Sequence, residues 1–486
     1  MGTERNRNRN RWFVLAVVSV AQLMVVLDGT IVNIALPQAQ AQLGMSDAQR
    51  TWVVTVYALF FGGLLLLGGR IADYWGRKRT FLVGLVGFAA ASMLGGMVTG
   101  PEALILARGL QGGFGALLAP AALAILTLTF PSGRERVRAF AVYGAISGSG
   151  ATLGLLLGGA LTEYASWHWC LLVNVPIAVI AGLAGGIVLT DSRAEGDRSY
   201  DLPGAVLAVG GLASLVYGFA EAEYGWLRPT ALGFLVLGVV LLVIFVVVED
   251  RSSHPLLPLR ILRDRTRAGA FIVSTTAGMA ILGAMLFLTF YLQITKGFSP
   301  LQSGLASAPL AASILVAAPL LTRLLPRIGA RLPMTLGPIA AAIGLFWLST
   351  ITVESDYLVT VLPGLIIYGI GMALLFVPLQ NLALAGVEPR DAGVAGALVN
   401  ATQQVGGSVG TSLFTALYAT VVAWALAGAG GEPTVLQRSE ALVAGYSAAF
   451  AAAGVLLLAC APVSCLMIRA GRKVFADTRE TVVHMG

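Results

Sequence analysis

Two charged residues lie inside long apolar segments of the sequence, where a charge is rare and indicates a functional side chain. Asp28 lies in the first apolar segment, residues 12–36, and Arg108 lies in the fourth, residues 103–128. A charge at the centre of a bilayer costs about 2.5–3.5 kcal/mol on insertion scales, so such groups face a cavity or each other. A carboxylate in a cavity can bind a proton and release it when its surroundings change. The two residues are therefore candidates for a proton-binding pair, with a static structural pair as the alternative.

Amide side chains form a second set of candidates, because they can hydrogen-bond across a helix contact or into a wet cavity. Gln111 follows Arg108 by three residues and shares its helix face. In residues 392–425, small residues and amides recur every three or four positions, at Gly393, Gly396, Asn400, Gln403, Gly407 and Gly410. Such a stripe suits helix packing and a cavity wall equally well. The candidate residues for a substrate cavity are Asn33, Gln111, Gln380, Asn381, Asn400, Gln403 and Gln404.

Glycines mark one face of the fifth apolar segment, residues 139–162. Gly150, Gly154 and Gly158 are four residues apart, and Gly159 follows directly. Small residues at this spacing allow two helices to approach closely in a membrane. We predict a hinge or a seal at this face, although helix packing alone also explains it.

The elements that carry these residues are membrane-spanning helices. The chain is 57% hydrophobic and only 11% charged, with a mean hydropathy of +0.83, whereas about a quarter of the residues in soluble domains are charged. An apolar run of about 20 helical residues crosses the hydrocarbon core. We predict an all-α membrane protein with fourteen transmembrane helices, at residues 12–36, 50–69, 80–99, 103–128, 139–162, 169–190, 203–220, 230–248, 268–292, 299–321, 332–351, 357–385, 392–425 and 441–468.

The positions of the basic residues predict the orientation of these spans. With the N-terminus inside the cell, all but five of the 31 Lys and Arg residues fall in cytoplasmic segments, the five being Arg50, Arg108, Arg228, Lys296 and Arg438. A cytoplasmic excess of Lys and Arg is what the positive-inside rule requires. We therefore predict a multi-pass protein of the bacterial plasma membrane with both termini in the cytoplasm. The formal charge of +7 then indicates contact with anionic membrane lipid and not with nucleic acid.

Two polar stretches divide the spans. Residues 191–201 are polar and residues 249–267 are strongly basic. We predict a basic N-terminus at 1–11, a six-helix bundle at 12–190, two linker spans with flanking loops at 191–267, a second six-helix bundle at 268–468 and a tail at 469–486. Two six-helix blocks suggest parallel repeats that handle a small-molecule substrate between them, near the middle of the membrane.

Several kinds of energy source and catalysis have no support in the sequence. A phosphate-binding loop of the form G-x-x-x-x-G-K-[ST] is absent, and none of the three lysines is in such a setting. The three histidines lie at or beyond the ends of spans, and the three cysteines have no metal-type spacing. We therefore expect no enzymatic activity, no metal and no cofactor, with transport that is passive or driven by an ion gradient.

The segment after the second span resembles a signature of the major facilitator superfamily. It reads Gly-Arg-Ile-Ala-Asp-Tyr-Trp-Gly-Arg-Lys-Arg over residues 69–79. A degenerate copy over residues 323–331 follows the tenth span, which is the corresponding place in the second half. We expect a cytoplasmic loop in which Gly76 permits a tight turn and Asp73 pairs with basic groups. The resemblance implies a gating motif made of Gly69, Asp73, Gly76, Arg77 and Lys78.

Three further stretches resemble the fourteen-helix drug:proton antiporter branch of that superfamily. They are residues 27–37, residues 108–112, and one stretch that runs from Trp167–Trp169 through Asn174–Pro176 at the start of the sixth span. This resemblance implies that Asp28 and Arg108 are proton-coupling residues. One position departs from the branch pattern, because Leu155 stands where the antiporter motif of the fifth span has proline. Without proline the helix keeps one more backbone hydrogen bond.

The leading functional prediction is proton-coupled efflux of amphipathic drug-like compounds or antibiotics by alternating access. The alternative is a proton-coupled uptake symporter or facilitator for a small metabolite, which would require more charged or polar aromatic side chains in both halves than this sequence has. A membrane enzyme or receptor would require a catalytic constellation or a soluble domain, and the sequence indicates neither.

Overall fold

The computed structural model describes residues 2–130, 133–193, 201–222, 224–252, 255–384, 392–427 and 432–468. Within these ranges the regular structure is helical and no strand occurs. Two π-helical turns, Tyr291–Thr295 and Tyr357–Val361, continue or precede long helices. The α-helices are α1 (Gly2–Leu43), α2 (Asp47–Trp75), α3 (Arg77–Gly95), α4 (Pro101–Thr129), α5 (Gly133–Tyr164), α6 (Trp169–Leu172), α7 (Asn174–Val188), α8 (Leu202–Ala222), α9 (Pro229–Arg251), α10 (Arg260–Arg263), α11 (Arg265–Phe290), α12 (Pro300–Ile328), α13 (Arg331–Leu348), α14 (Leu362–Leu384), α15 (Ala392–Ala427) and α16 (Val435–Met467).

The long helices confirm the prediction of an all-α membrane protein. Within the described residues, 13 helical segments are long and apolar enough to cross a membrane. Each of the fourteen predicted spans overlaps a helix of the structure. Thirteen of them correspond to these segments, and the fifth predicted span corresponds to α5, a helix of 32 residues. Fourteen transmembrane helices are therefore consistent with the structure.

Several helices continue past the ends that the apolar runs predict. The second span was predicted to end at residue 69, but α2 continues to Trp75, so Gly69 and Asp73 are helical and the predicted loop is wrong for this part of the motif. The chain turns at Gly76, which has a φ of +119°. In the second half α12 likewise continues to Ile328 and the chain turns at Gly329, with a φ of +74°. The thickness of the hydrocarbon core sets the length of the apolar run, but the helix can continue beyond it. These two helices end next to a glycine with positive φ, a backbone conformation that residues with a side chain rarely adopt.

The chain forms two compact units. Unit 1 consists of Met1–Gly210, Ile244–Leu256 and Ser299–Leu305, and unit 2 consists of Gly211–Val243, Leu257–Phe298 and Ala306–Gly486. In unit 1, α4 packs against both α2 and α3, and α1 packs against α5. The close approach of α4 to α2 occurs at Gly112, where a Cβ would overlap the backbone oxygen of Tyr57. The domain boundaries predicted from polar stretches stay a prediction.

In unit 2, glycines allow the backbones of α11 and α15 to come into direct contact. A Cβ on Gly278 would overlap the backbone oxygen of Gln403, and a Cβ on Gly406 would overlap that of Thr275. One turn further on, a Cβ on Gly410 would lie 2.5 Å from the Cα of Met279. Of the glycines in the stripe of the thirteenth predicted span, Gly407 and Gly410 therefore lie in a tight helix contact with α11.

Candidate functional site

Asp28 and Arg108 form an ion pair inside unit 1. The Asp28 side chain is fully buried, and Arg108 Nη1 donates to Asp28 Oδ2 over 2.5 Å. The other carboxylate oxygen, Oδ1, accepts from Gln111 Nε2 over 3.0 Å and from Asn174 Nδ2 over 2.7 Å. Three donors, from Arg108, Gln111 and Asn174, therefore surround this one carboxylate. Of the two arrangements predicted for isolated membrane charges, the structure shows the one in which they face each other.

The Arg108 guanidinium is held on several sides. Nη1 also donates to Gln111 Oε1 over 2.9 Å, and Nε donates to the backbone oxygen of Val53 over 3.2 Å. The Tyr57 ring lies against the guanidinium carbon, 4.2 Å from carbon to ring centroid, which is a cation–π arrangement. This environment gives the buried cation the partners that it needs in a low-dielectric interior.

Four helices position this network. Asp28 comes from α1, Arg108 and Gln111 from consecutive turns of α4, Ser92 from α3 and Asn174 from the start of α7. Ser92 Oγ accepts from Gln111 Nε2 over 2.6 Å and from Asn174 Nδ2 over 3.3 Å. All five residues are at most 1% exposed. We name this set the carboxylate network.

The sequence did not identify Ser92, Asn174 or Tyr57 as members of the site. Asn174 stood within a recognised stretch, Asn174–Pro176, but that resemblance gave it no role. Ser92 and Tyr57 are uncharged, and hydropathy gives no signal for a neutral hydroxyl or an aromatic residue in an apolar helix. Their roles follow from helix packing, which brings α3, α2 and α7 around Asp28.

The amides predicted for a substrate cavity are placed differently from one another. Gln111 belongs to the carboxylate network and has no exposed surface. Asn33 is buried in α1, where Nδ2 donates to the backbone oxygen of Gly29 over 3.4 Å. On α15, Asn400 is exposed while Gln403 and Gln404 are half-buried. The side chains of Gln380 and Asn381 lie outside the described residues.

The predicted gating motif forms a set of contacts at the α2–α3 turn. Asp73 accepts from Arg77 Nη2 over 2.7 Å, as an ion pair four residues apart. Lys78 Nζ donates to the backbone oxygen of Gly186 over 2.7 Å, and Arg79 approaches Asp191 at 3.5 Å. The turn is thus tied to the end of α7 and to the chain that follows it. A role in gating stays a prediction.

Gly76→Ala is expected to destabilise this turn. A Cβ there would lie 2.6 Å from Asp191 Oδ1, and the φ of +119° is unfavourable for any residue with a side chain. Backbone strain of this kind costs about 1–3 kcal/mol. We expect a lower melting temperature for Gly76→Ala than for wild type, measured on purified protein in detergent. A matched control is Gly186→Ala, because a Cβ on Gly186 would meet nothing within 4 Å. Equal melting temperatures for Gly76→Ala and this control would contradict the expectation.

The glycine face of α5 packs against α1. A Cβ on Gly150 would lie 2.9 Å from Val26 Cγ1, and one on Gly158 would lie 2.9 Å from Ile31 O, while one on Gly154 would overlap Thr30 Oγ1. Gly159 points elsewhere, since its Cβ would lie 2.7 Å from the Cα of Leu301. Close packing is therefore observed, and the hinge or seal stays a prediction.

Leu155, at the position of the motif proline, lies within α5 and is buried. A Cβ on Gly304 would overlap its backbone oxygen, so the start of α12 passes directly over this turn of α5. Among the described residues, no group of three or more His, Cys, Asp or Glu side chains could hold a metal ion.

Comparison with known proteins identifies the family. The family model described as Major Facilitator Superfamily matches residues 18–411. Puromycin resistance protein pur8 of Streptomyces alboniger is 47% identical over 452 residues, which cover 92% of this chain and 90% of that protein. The tetracenomycin C resistance and export protein of Streptomyces glaucescens is 35% identical over 413 residues, which cover 85% of this chain and 76% of that protein.

A solved structure agrees with this assignment at the level of the fold. A bacterial homologue of the human lysosomal transporter Spinster, in an inward-facing and unoccupied conformation, has a TM-score of 0.68 at 17% identity. The match covers 96% of this chain and 98% of that one. The chain therefore belongs to the major facilitator superfamily, and it is a multi-pass membrane transporter rather than an enzyme.

Proposed function

We propose that this protein exports amphipathic antibiotics or similar drug-like molecules across the bacterial plasma membrane in exchange for protons. The observation that carries the proposal is the buried Asp28–Arg108 pair in a membrane transporter. The names of the two relatives support the direction, because both are resistance proteins and one is also an export protein. These names favour export over the alternative of metabolite uptake.

The carboxylate network suits proton coupling because its charges balance only while Asp28 is ionised. Protonation removes the negative charge that faces Arg108 and turns one oxygen of Asp28 from an acceptor into a donor. The buried guanidinium then lacks its counter-charge, which is strongly unfavourable in the interior. Proton binding therefore favours a different arrangement of these helices, and this is the requirement for coupling a proton to alternating access.

The energy source and the orientation are part of the same proposal. Protons enter from outside the cell, no cofactor takes part, and both termini lie in the cytoplasm. The basic N-terminus and the basic segment at residues 249–267 then contact the anionic cytoplasmic surface of the membrane. Alternating access of the two halves carries the small-molecule substrate outward.

Everted membrane vesicles provide the test. We expect vesicles that contain the protein to accumulate puromycin when their interior is acidic, and to release it when nigericin collapses the pH gradient. Vesicles prepared without the protein are the control. Accumulation that ignores the gradient would argue against proton coupling. Gradient-driven movement of puromycin in the opposite direction would favour the uptake alternative.

A further inference from the structure

We propose that Asn174 is the hydrogen-bond partner of Asp28 in both of its protonation states and thereby sets the pH at which Asp28 exchanges its proton. This inference rests on the proposed function only in assuming that Asp28 is the exchanging group. It concerns a residue that the motif resemblance left without a role. Asn174 is a positioning residue, which acts through Asp28.

The contacts of Asn174 fix the orientation of its amide. Nδ2 donates to Asp28 Oδ1 over 2.7 Å and to Ser92 Oγ over 3.3 Å. An ionised carboxylate accepts hydrogen bonds and donates none, so the amide must present its nitrogen. The residue is the first of α7 and is fully buried, so water does not compete for these contacts.

The other end of the amide is unused in this arrangement. Among the described residues, the buried Oδ1 of Asn174 has no hydrogen-bond partner. Burying an acceptor in this way is unfavourable, and native structures generally avoid it. An unused acceptor beside a group that can bind a proton suggests that the acceptor serves the protonated state.

The network leaves one place for the incoming proton. Asp28 Oδ2 faces Arg108, which has five donor hydrogens and no acceptor, so a proton on Oδ2 would meet another donor. Oδ1 also faces two donors, but both belong to amides, which carry an acceptor oxygen as well. The proton therefore goes to Oδ1, where it needs an acceptor. Gln111 Oε1 already accepts from Arg108, and Ser92 Oγ already accepts from both amides. A half-turn of the Asn174 amide brings its free Oδ1 to the proton.

Removing the amide should favour the protonated state. Asn174→Leu keeps a similar volume but deletes a donor to the carboxylate and an acceptor for the acid. A hydrogen bond to a charged group is roughly twice as strong as one between neutral groups, so the loss to the ionised form is larger. We expect Asp28 to bind its proton at a pH about one unit higher in this variant.

Infrared difference spectroscopy of the full-length protein in lipid measures this midpoint directly. The carboxylic acid C=O band that disappears in Asp28→Asn is titrated in wild type, Asn174→Leu and Ser92→Ala. Ser92→Ala removes the shared acceptor that aligns both amides, and it should move the midpoint in the same direction by less. This second variant carries the test if Asn174→Leu does not fold. Thr162→Val is the matched control, because Thr162 is buried and its hydroxyl bonds to Cys170 at 3.2 Å, whereas the hydrogen bonds that Asp28 accepts within the described residues come from Arg108, Gln111 and Asn174.

The outcomes separate this inference from the proposed function. A midpoint that rises in Asn174→Leu or Ser92→Ala but not in Thr162→Val supports the inference, even if vesicle transport proves independent of the pH gradient. A midpoint that is unchanged in both network variants overturns it, even if transport proves to be driven by protons through Asp28.

Discussion

Asp28→Asn is expected to abolish transport that is driven by a pH gradient. Asparagine has nearly the shape of aspartate and can still accept a hydrogen bond from Arg108, but it cannot exchange a proton. Net accumulation of puromycin in everted vesicles should fall to the level of vesicles without the protein. Substrate counterflow, in which labelled and unlabelled substrate exchange without net proton movement, should persist. Retained gradient-driven accumulation would show that another group couples the proton.

The same substitution is expected to lower the stability of the fold, because it leaves a buried guanidinium without its counter-charge. Removing one partner of a buried ion pair costs about 3–5 kcal/mol, whereas replacing both charges with apolar groups of similar volume is often neutral. The melting temperature should therefore fall in Asp28→Asn and in Arg108→Met. In the double variant it should fall by less than the sum of the two single effects. Asp73→Asn is the control, because its partly exposed pair with Arg77 should contribute about 0–1 kcal/mol. A double variant that melts at the temperature predicted by adding the single effects would contradict this interpretation.

The sequence predicted the spans and the central ion pair because both depend on one large term, the free energy of transferring side chains from water into the hydrocarbon core. Apolar runs must be long enough to cross the hydrocarbon, and an isolated charge such as Asp28 must find a partner or a cavity there. Arg108 was the other charge found inside an apolar segment, which was sufficient to suggest it as that partner. No knowledge of side-chain packing was required.

The rest of the carboxylate network depends on which helices are neighbours and on how they are rotated. Ser92 and Asn174 reach Asp28 only because α3 and α7 pack beside α1 and α4, and neither residue has a periodic pattern that indicates this. Helix ends such as Trp75 were missed for a different reason. The helix continues into the polar region until Gly76, so hydropathy underestimates its length.

The glycine that belongs to the predicted motif and the glycine that is tightly packed are two neighbouring residues of α2. Gly69 belongs to the predicted gating motif, whereas Gly68 does not. A Cβ on Gly68 would overlap the backbone oxygen of Ala116 and lie 3.2 Å from the Cα of Leu117, so the obstacle is the backbone of α4. A Cβ on Gly69 would have Pro120 Cβ as its nearest neighbour, at an ordinary 3.7 Å.

Gly68→Ala is therefore expected to be strongly destabilising and Gly69→Ala nearly neutral. Backbone atoms cannot give way as a flexible side chain can, so α2 and α4 must separate, at a cost of about 1–3 kcal/mol or more. Alanine at residue 69 gains up to about 1 kcal/mol of helix propensity, which offsets any small loss. Melting temperatures of the two purified variants provide the comparison. Because α4 carries Arg108, Gly68→Ala should also reduce gradient-driven transport, and a variant as stable and active as Gly69→Ala would mean that α2 and α4 are not in contact at this point.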